Sequence, residues 1–224
     1  MAQYRHEWKH EISLSDRLVV RQRLRAVAKA DIHAEDGRYF IRSLYFDTPA
    51  DKALREKLDG VSRREKFRIR YYNNDFTVIH LEKKCKLGGL GTKESAALSA
   101  MEAQDIVNGR LEWMPGCGRT LMQELYSKMR FQGLRPKTIV DYTREPFVYA
   151  PGGVRVTLDY DIRTGLSCTD FLNPDCVTIP AGDGQTILEV KWDAYLPAVI
   201  RDAVQLDGCR TGSFSKYAVC RRYD

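Results

Sequence analysis

The chain has 224 residues, and a hydrophobic content of 43% supplies a real core, which excludes an intrinsically disordered protein. A formal charge of +6 leans towards an anionic partner, without choosing among nucleic acid, an acidic membrane surface and a phosphorylated small molecule. The N-terminus MAQYRHEWKHEI has no apolar leader core, and no run approaches the roughly 18 apolar residues of a membrane span, so a soluble cytoplasmic protein is expected. The cysteines (Cys85, Cys117, Cys168, Cys176, Cys209, Cys220) form no C-x-x-C pair, which argues against structural zinc and a disulfide scaffold. They read as reduced, packing thiols. No linker rich in Pro, Gly or Ser divides the chain, so one domain over residues 1–224 is expected.

Residues 4–12, YRHEWKHEI, alternate as a strand: Arg5, Glu7, Lys9 and Glu11 share one face, and Tyr4, Trp8 and Ile12 the other. Ser13-Leu14-Ser15-Asp16 starts a helix whose apolar stripe, Leu18, Val19, Leu24 and Val27, runs up to Ala30. Residues 39–47, YFIRSLYFD, form a largely apolar strand, with Tyr45 and Asp47 assigned to ordering its end. Thr48-Pro49 then opens a helix that ends near Gly60.

The stretch from Arg63 to Lys93 reads as two strands joined by Asn73-Asn74-Asp75. Arg64, Lys66, Arg68 and Arg70 lie on one face of the first strand, and Phe67, Ile69 and Tyr71 on the other. On the second, His80, Glu82, Lys84 and Lys86 share a face, with His80 taken as a strand residue and not a ligand. A row of like charges repels itself unless water or an anion meets it. Gly88-Gly89-Leu90-Gly91 is a turn without the spacing of a P-loop, and Thr92-Lys93-Glu94 follows as a short strand or bridge. Helices are expected over 97–107 and 120–131, and strands over 137–142, 147–149, 154–160 and 185–192. Two helices, 197–206 and 215–221, close the chain.

Solvated sheet faces seldom repeat a charged row in strand after strand. If the strands close into a barrel, the rows share a centre, and a mainly basic lining with a few carboxylates suits a phosphate chain and its divalent metal.

Short motifs recur in a specific order. They are Glu7-x-Lys9, SLYFDTP at 43–49, Lys66-x-Arg68-x-Arg70, Leu81-Glu82-x-Lys84, GTKE at 91–94, Tyr142-x-Arg144, Arg155-x-Thr157-Leu158-Asp159, LEVK at 188–191 and FSKY at 214–217. Together they resemble the VTC domain, the polyphosphate polymerase branch of the triphosphate tunnel metalloenzymes. The resemblance implies an α+β fold: an antiparallel eight-stranded β-barrel forming a tunnel, flanked by helices. It implies that Lys9, Lys66, Arg68, Arg70, Lys84, Lys93, Arg144, Arg155 and Lys216 grip phosphates, and that Glu189 holds Mn²⁺ or Mg²⁺, with Glu7 and Glu82 as further metal carboxylates. Arg5, Arg64, Lys86 and Lys191 share the right faces without a motif match; of these, Arg5 and Lys191 are added as phosphate contacts.

The implied ligands are ATP and polyphosphate or another triphosphate, with the terminal phosphate of a growing chain attacking the γ-phosphorus. No Ser/His/Asp or Cys/His set is needed, and none is convincing. The open alternatives are a metal-dependent triphosphatase and a non-catalytic polyphosphate-binding module. Nucleic acid is not expected, because the basic residues fall inside the predicted tunnel. No counterpart of the transmembrane channel and phosphate-sensing domain of the eukaryotic assembly is expected from this sequence. The chain is therefore expected to act in the cytosol or beside a separate membrane partner, as a monomer or weak oligomer.

Overall fold

Period-two alternation in the sequence becomes one curled, mostly antiparallel sheet with helices Leu14–Val27, Ala100–Val107, Thr120–Phe131 and Ala198–Val204 packed on its outer side. The computed structural model describes residues 5–88, 90–206 and 212–222; Tyr4, Gly89 and Cys209 lie outside the described residues. In chain order the elements are β1 (His6–Ile12), α1 (Leu14–Val27), β2 (Lys29–Ala30), β3 (Tyr39–Asp47), α2 (Lys52–Leu58), β4 (Arg64–Tyr72), β5 (Asp75–Leu87) and β6 (Leu90–Leu98). There follow α3 (Ala100–Val107), α4 (Thr120–Phe131), β7 (Arg135–Tyr149), β8 (Val154–Thr164), β9 (Ile179–Pro180), β10 (Thr186–Trp192), α5 (Ala198–Val204) and α6 (Lys216–Cys220). The strand path runs β1-β10-β8-β7-β3-β4-β5-β6, with β2 and β9 as short additions. No ladder joins β1 to β6 among the described residues, so the eight-stranded sheet is a half-barrel with a seam.

Local chemistry sets the ends of these elements. Asn73 and Asn74 both have positive φ (48° and 55°), as a tight hairpin turn requires, and asparagine tolerates that region best after glycine. Ser13 and Asp16 form a capping box that starts α1. Gly153 (φ 58°) is needed where it stands, since a Cβ there would fall 2.0 Å from Asp193 Oδ2.

The outer face of β3, β4 and β5 carries Phe46, Phe67, Ile69, Tyr71, Ile79 and Leu81, which pack on Ala103, Ile106, Leu121, Met122 and Leu125 of α3 and α4. Val20 and Leu24 of α1 and Ile200 of α5 cover Val156, Leu158, Leu188 and Val190 in the same way. Full burial of each such side chain contributes about 1.5–3 kcal/mol. With both apolar faces covered outside, the charged rows are left for the concave side. A third cluster, Tyr45, Tyr142, Ile187, Tyr217 and Val219, seats α6 against the interior.

Several boundaries differ from expectation. The stripe of α1 is Val20, Leu24 and Val27, while Leu18 and Val19 are exposed; positions i, i+4 and i+7 share a helix face. Lys29–Ala30 is a strand on β7, not the helix end. Helix α2 starts at Lys52, because Asp47 Oδ1 accepts the Ala53 N–H and Oδ2 the Leu54 N–H, leaving Thr48–Ala50 as a turn. Asp47 thus orders its strand end as expected. Ala97 and Leu98 stay in β6, a full ladder partner of β5 and not a short bridge, and the Ser99 capping box delays α3 to Ala100. Strand β7 is continuous through Pro146, whose carbonyl accepts from Asp31 N.

Candidate anion-binding tunnel

Alternation places Glu7 and Lys9 of β1, Glu189 and Lys191 of β10, Asp159 of β8, Arg144 of β7, Tyr45 of β3, Arg68 and Arg70 of β4, Glu82 and Lys84 of β5 and Lys93 of β6 on the concave face. β1 and β5 are far apart in the strand path, yet Lys84 Nζ lies 3.7 Å from Glu7 Oε2. The curl of the sheet therefore brings both ends around one volume.

Three ion-pair groups line it. In the first, Glu82 takes Arg68 at 2.6 Å and Lys93 at 2.5 Å, with Arg70 at 3.8 Å. Arg70 Nε donates to Ser43 Oγ (2.9 Å) and its Nη2 to the Tyr142 hydroxyl (3.0 Å), while Arg68 Nη1 donates to the Tyr45 hydroxyl (2.8 Å). In the second, Asp159 binds Arg144 through both oxygens (2.6 and 2.7 Å) and Lys216 at 2.6 Å. In the third, Lys9 bridges Glu7 (2.8 Å) and Glu189 (3.1 Å), and Lys191 reaches Glu189 at 2.6 Å. These contacts fix guanidinium and ammonium groups before any ligand arrives, which reduces the reorganisation that binding costs.

Burial opposes the charged forms of Glu82, Glu189, Tyr45, Lys66 and Lys84, and neighbouring charges override it or add to it. It is overridden at Glu82 by Arg68, Arg70 and Lys93, and at Glu189 by Lys191, Lys9, Arg144 and Lys216; both carboxyls are held well below their usual range. Burial would also raise the Tyr45 phenol, but Arg68, Lys66 and Arg70 bring it down to about 7. Lys66 has no carboxylate partner among the described residues; its Nζ sits 5.4 Å from the Tyr45 ring centroid. Burial, then the adjacent cations, pushes Lys66 down to about 8, and burial with Lys9 pushes Lys84 to about 7.

All three groups lose positive charge or gain negative charge as pH rises. Phosphate affinity is therefore expected to fall between about pH 7 and pH 9. A Lys66→Arg variant, whose guanidinium does not titrate, should lose the step near pH 8. Tripolyphosphate titrations at several pH values check this, and an unchanged profile in the variant would remove Lys66 from the site.

A cavity of about 160 Å³ opens on this face, lined by Lys9, Lys57, Arg64, Lys66, Lys84 and Lys86 and by Ser213 and Phe214. The segment before α6 is strapped over it: Gly212 N donates to the Lys9 carbonyl, and Lys57 Nζ to the Ser213 carbonyl (2.7 Å). Lys216 follows, its Nζ 4.6 Å from the Tyr142 ring centroid.

Two sequence-selected residues stand apart. Arg5 is turned to the strand end, bound to Asp193 (2.8 Å) and to the Gly153 carbonyl. Arg155 is held by Asp31 (3.0 Å) and the Tyr39 hydroxyl (2.6 Å), and is more exposed than Arg144. Tyr45 faces the cations and does not merely order its strand. Ser43, Tyr45, Tyr142 and Asp159 hold the cations in place, and sequence reasoning gave none of them a role in the site. Asp159 did carry a signal, since it alternates with Arg155 and Thr157; Lys57, on a helix, carried none.

The family model of the VTC domain matches residues 4–223. The chain belongs to the VTC domain family, and its sheet is a half-barrel with a charged interior. No curated protein matches it. Among solved structures it is similar to a protein of Pyrococcus horikoshii OT3 (TM-score 0.49, 12% identity, covering 95% of this chain and 94% of that one). It is also similar to a Bacillus halodurans protein provisionally described as an adenylate cyclase (0.47, 16%, covering 84% and 80%). A Vibrio parahaemolyticus protein described in the same way gives 0.47 and 10%, covering 90% and 83%.

The carboxylates differ in their fit to a divalent cation. Glu7 Oε1 is buried and, beyond its ion contacts with Lys9 and Lys191, accepts no hydrogen bond. Glu189 is ionised beside it. One or two carboxylates completed by phosphate oxygens and water suit Mg²⁺ or Mn²⁺. Glu82 is held by Arg68, Arg70 and Lys93, as Glu7 is by Lys9, Lys84 and Lys191 and Glu189 by Lys9 and Lys191, so a cation at any of the three would displace a basic partner. Among the described residues no group of three or more His, Cys, Asp or Glu side chains converges, so a cation here would depend on its ligand's oxygens.

Proposed function

We propose that the protein is a polyphosphate polymerase, transferring the γ-phosphoryl group of ATP to the end of a growing polyphosphate chain. The observation that carries this reading is the convergence of Lys9, Lys66, Arg68, Arg70, Lys84, Arg144 and Lys216 on one concave face beside Glu7 and Glu189. Phosphoryl transfer asks for alignment and charge neutralisation more than for covalent catalysis. Arg68 and Arg70 would hold non-bridging oxygens of the transferred group, and Arg144 and Lys216 those of the neighbouring phosphates. A terminal phosphate oxygen of the chain attacks the γ-phosphorus, the β–γ bridging bond breaks, ADP leaves, and the chain is one unit longer. Mg²⁺ or Mn²⁺, held by Glu189 and Glu7, would neutralise charge on the phosphate oxygens.

A cytosolic site of action, alone or beside a separate membrane partner, goes with this proposal; no helix among the described residues is long and apolar enough to cross a membrane. Incubation of the purified protein with ATP and Mn²⁺, then Mg²⁺, should give a ladder of polymer on a gel stained for polyphosphate, lost on adding a chelator. Free phosphate without polymer would make it a triphosphatase. Neither product, with tripolyphosphate still bound, would make it a binding module.

A further inference from the structure

Between β8 and β9 the chain leaves the sheet at Thr164 and returns at Ile179, two residues that pair with each other in the ladder. The loop between them, 165–178, folds on itself. Gly165 N donates to the Ile139 carbonyl (2.9 Å), Cys168 N to the Gly165 carbonyl (2.9 Å), and Asn173 Nδ2 to Asp170 Oδ2 (2.9 Å). Close ends and inward-packed side chains make this a compact Ω-loop.

Two contacts dock the loop on the outer face of the sheet, behind Ser43 and Arg70. Phe171 is 1% exposed and packs on Tyr71 of β4 (4.9 Å between ring centroids). The Asn173 carbonyl accepts from Arg42 Nη1, while the rest of that guanidinium donates to both oxygens of Asp141 (2.9 and 2.8 Å). Arg42 is buried, so the carbonyl satisfies a donor that water scarcely reaches.

The same fold brings two thiols together. Cys168 and Cys176 are eight positions apart in sequence and belong to no redox motif, yet their sulfurs lie 3.0 Å apart. Both are free, partly exposed, and flank the docking residues Phe171 and Asn173. Burial, then the hydrogen bond with Cys168, pushes the Cys176 thiol up, so Cys176 keeps its proton and Cys168 opens any exchange.

We infer that Cys168 and Cys176 form a reversible dithiol–disulfide site, oxidised by hydrogen peroxide, that locks the loop onto the back of β3 and β4. The Cys168 sulfur attacks one peroxide oxygen, the O–O bond breaks, and water leaves behind a sulfenic acid. The Cys176 sulfur then attacks the Cys168 sulfur, the S–O bond breaks, and a second water leaves the disulfide. The sulfurs give up two electrons, and the two waters take up both thiol protons. A dithiol reductant reverses the step by exchange. Closing a ring around Phe171 and Asn173 removes the open loop conformations that would release them. The site does not depend on what the tunnel makes, because the loop lies on the opposite side of the sheet.

The sequence makes the test direct. Residues 164–191 follow Arg163 and hold no Lys or Arg before Lys191, so trypsin releases both thiols on one peptide that carries no other cysteine. Reduced, desalted protein is treated with a small excess of hydrogen peroxide, then denatured, alkylated and digested. By the time about a tenth of Cys85 or Cys117 is oxidised, most of this peptide should be unalkylated and two hydrogens lighter, and dithiothreitol should restore it. Thermolysin cleavage within 165–178 of the native protein should fall about tenfold on oxidation, and should not change in Cys176→Ser.

A pair still alkylated at that point overturns the site, as does sulfinic acid in place of the disulfide. A disulfide joining two chains, seen as a dimer on a non-reducing gel, overturns it as well. An internal disulfide that leaves the cleavage rate unchanged overturns the lock. These readouts are taken on the wild-type chain, so they decide the matter even where Cys176→Ser fails to fold.

Discussion

Arg70→Ala is expected to lower nucleotide-dependent turnover by about 10²–10³-fold, the range seen when one preorganised charge-stabilising donor is removed. Arg70 is 4% exposed and lies between Ser43, Tyr142 and Glu82, so its guanidinium cannot swing away and has no substitute nearby. Lysine should not restore the rate, because an ammonium cannot reproduce the fork that reaches Ser43 and Tyr142 while presenting further N–H groups to phosphate. The fold should survive. Arg68 and Lys93 still neutralise Glu82, and the loss of Arg70 relieves repulsion with Arg68. Initial rates with ATP and Mn²⁺, beside circular dichroism of the same samples, check this. Turnover within tenfold of wild type in a folded Arg70→Ala protein would place the chemistry elsewhere.

Asp159→Asn should be the most damaging conservative change to stability. Asp159 is fully buried and neutralises both Arg144 and Lys216. An amide of the same shape leaves two cations without a counter-charge in a closed site, a loss of about 3–5 kcal/mol. Lys216 is the first residue of α6, so undocking it also loosens Tyr217 from Tyr45.

The pH dependence has a definite sign. Burial opposes ionisation of Asp159, but Arg144 and Lys216 outweigh it and hold the carboxyl at about 2, below the roughly 3.9 of an unfolded chain. Its contribution is present above pH ~3.9 and is lost as pH falls towards 2, roughly 2–3 kcal/mol in all. Urea unfolding from neutral pH down to about pH 3 should give a steeper acid decline in wild type than in Asp159→Asn. Parallel curves would show that the carboxylate is not ionised in the folded protein.

Much of this architecture was legible before any coordinates. β3 and α4 begin and end where their apolar patterns do, over 39–47 and 120–131, because each pattern is local and packs on one side. The rows Arg64–Arg70 and His80–Lys86 were visible because strand geometry makes period two a statement about faces. The misread boundaries have long-range causes. Asp47 reaches forward to the N–H groups of Ala53 and Leu54, β6 is drawn out by pairing with β5, and β7 passes Pro146 with β8 and β2 as neighbours.

The sequence by itself determined that this chain has a sheet with one apolar and one charged face, and which residues stand on the charged one. It also carried the ordered motifs of the VTC family. Tertiary structure decided which opposite charges meet: Arg144 with Asp159 and Lys216, Lys9 with Glu7 and Glu189, and Arg68 with Glu82, Lys66 alone of the group being left without a carboxylate among the described residues. It also brought Lys57 from a helix surface to the cavity and laid the Ser213 segment across it. The physical reason is that alternation is set by the backbone of a single strand. Charge pairing depends on curl, register and closure between elements far apart in sequence, as Lys9 and Glu189 are.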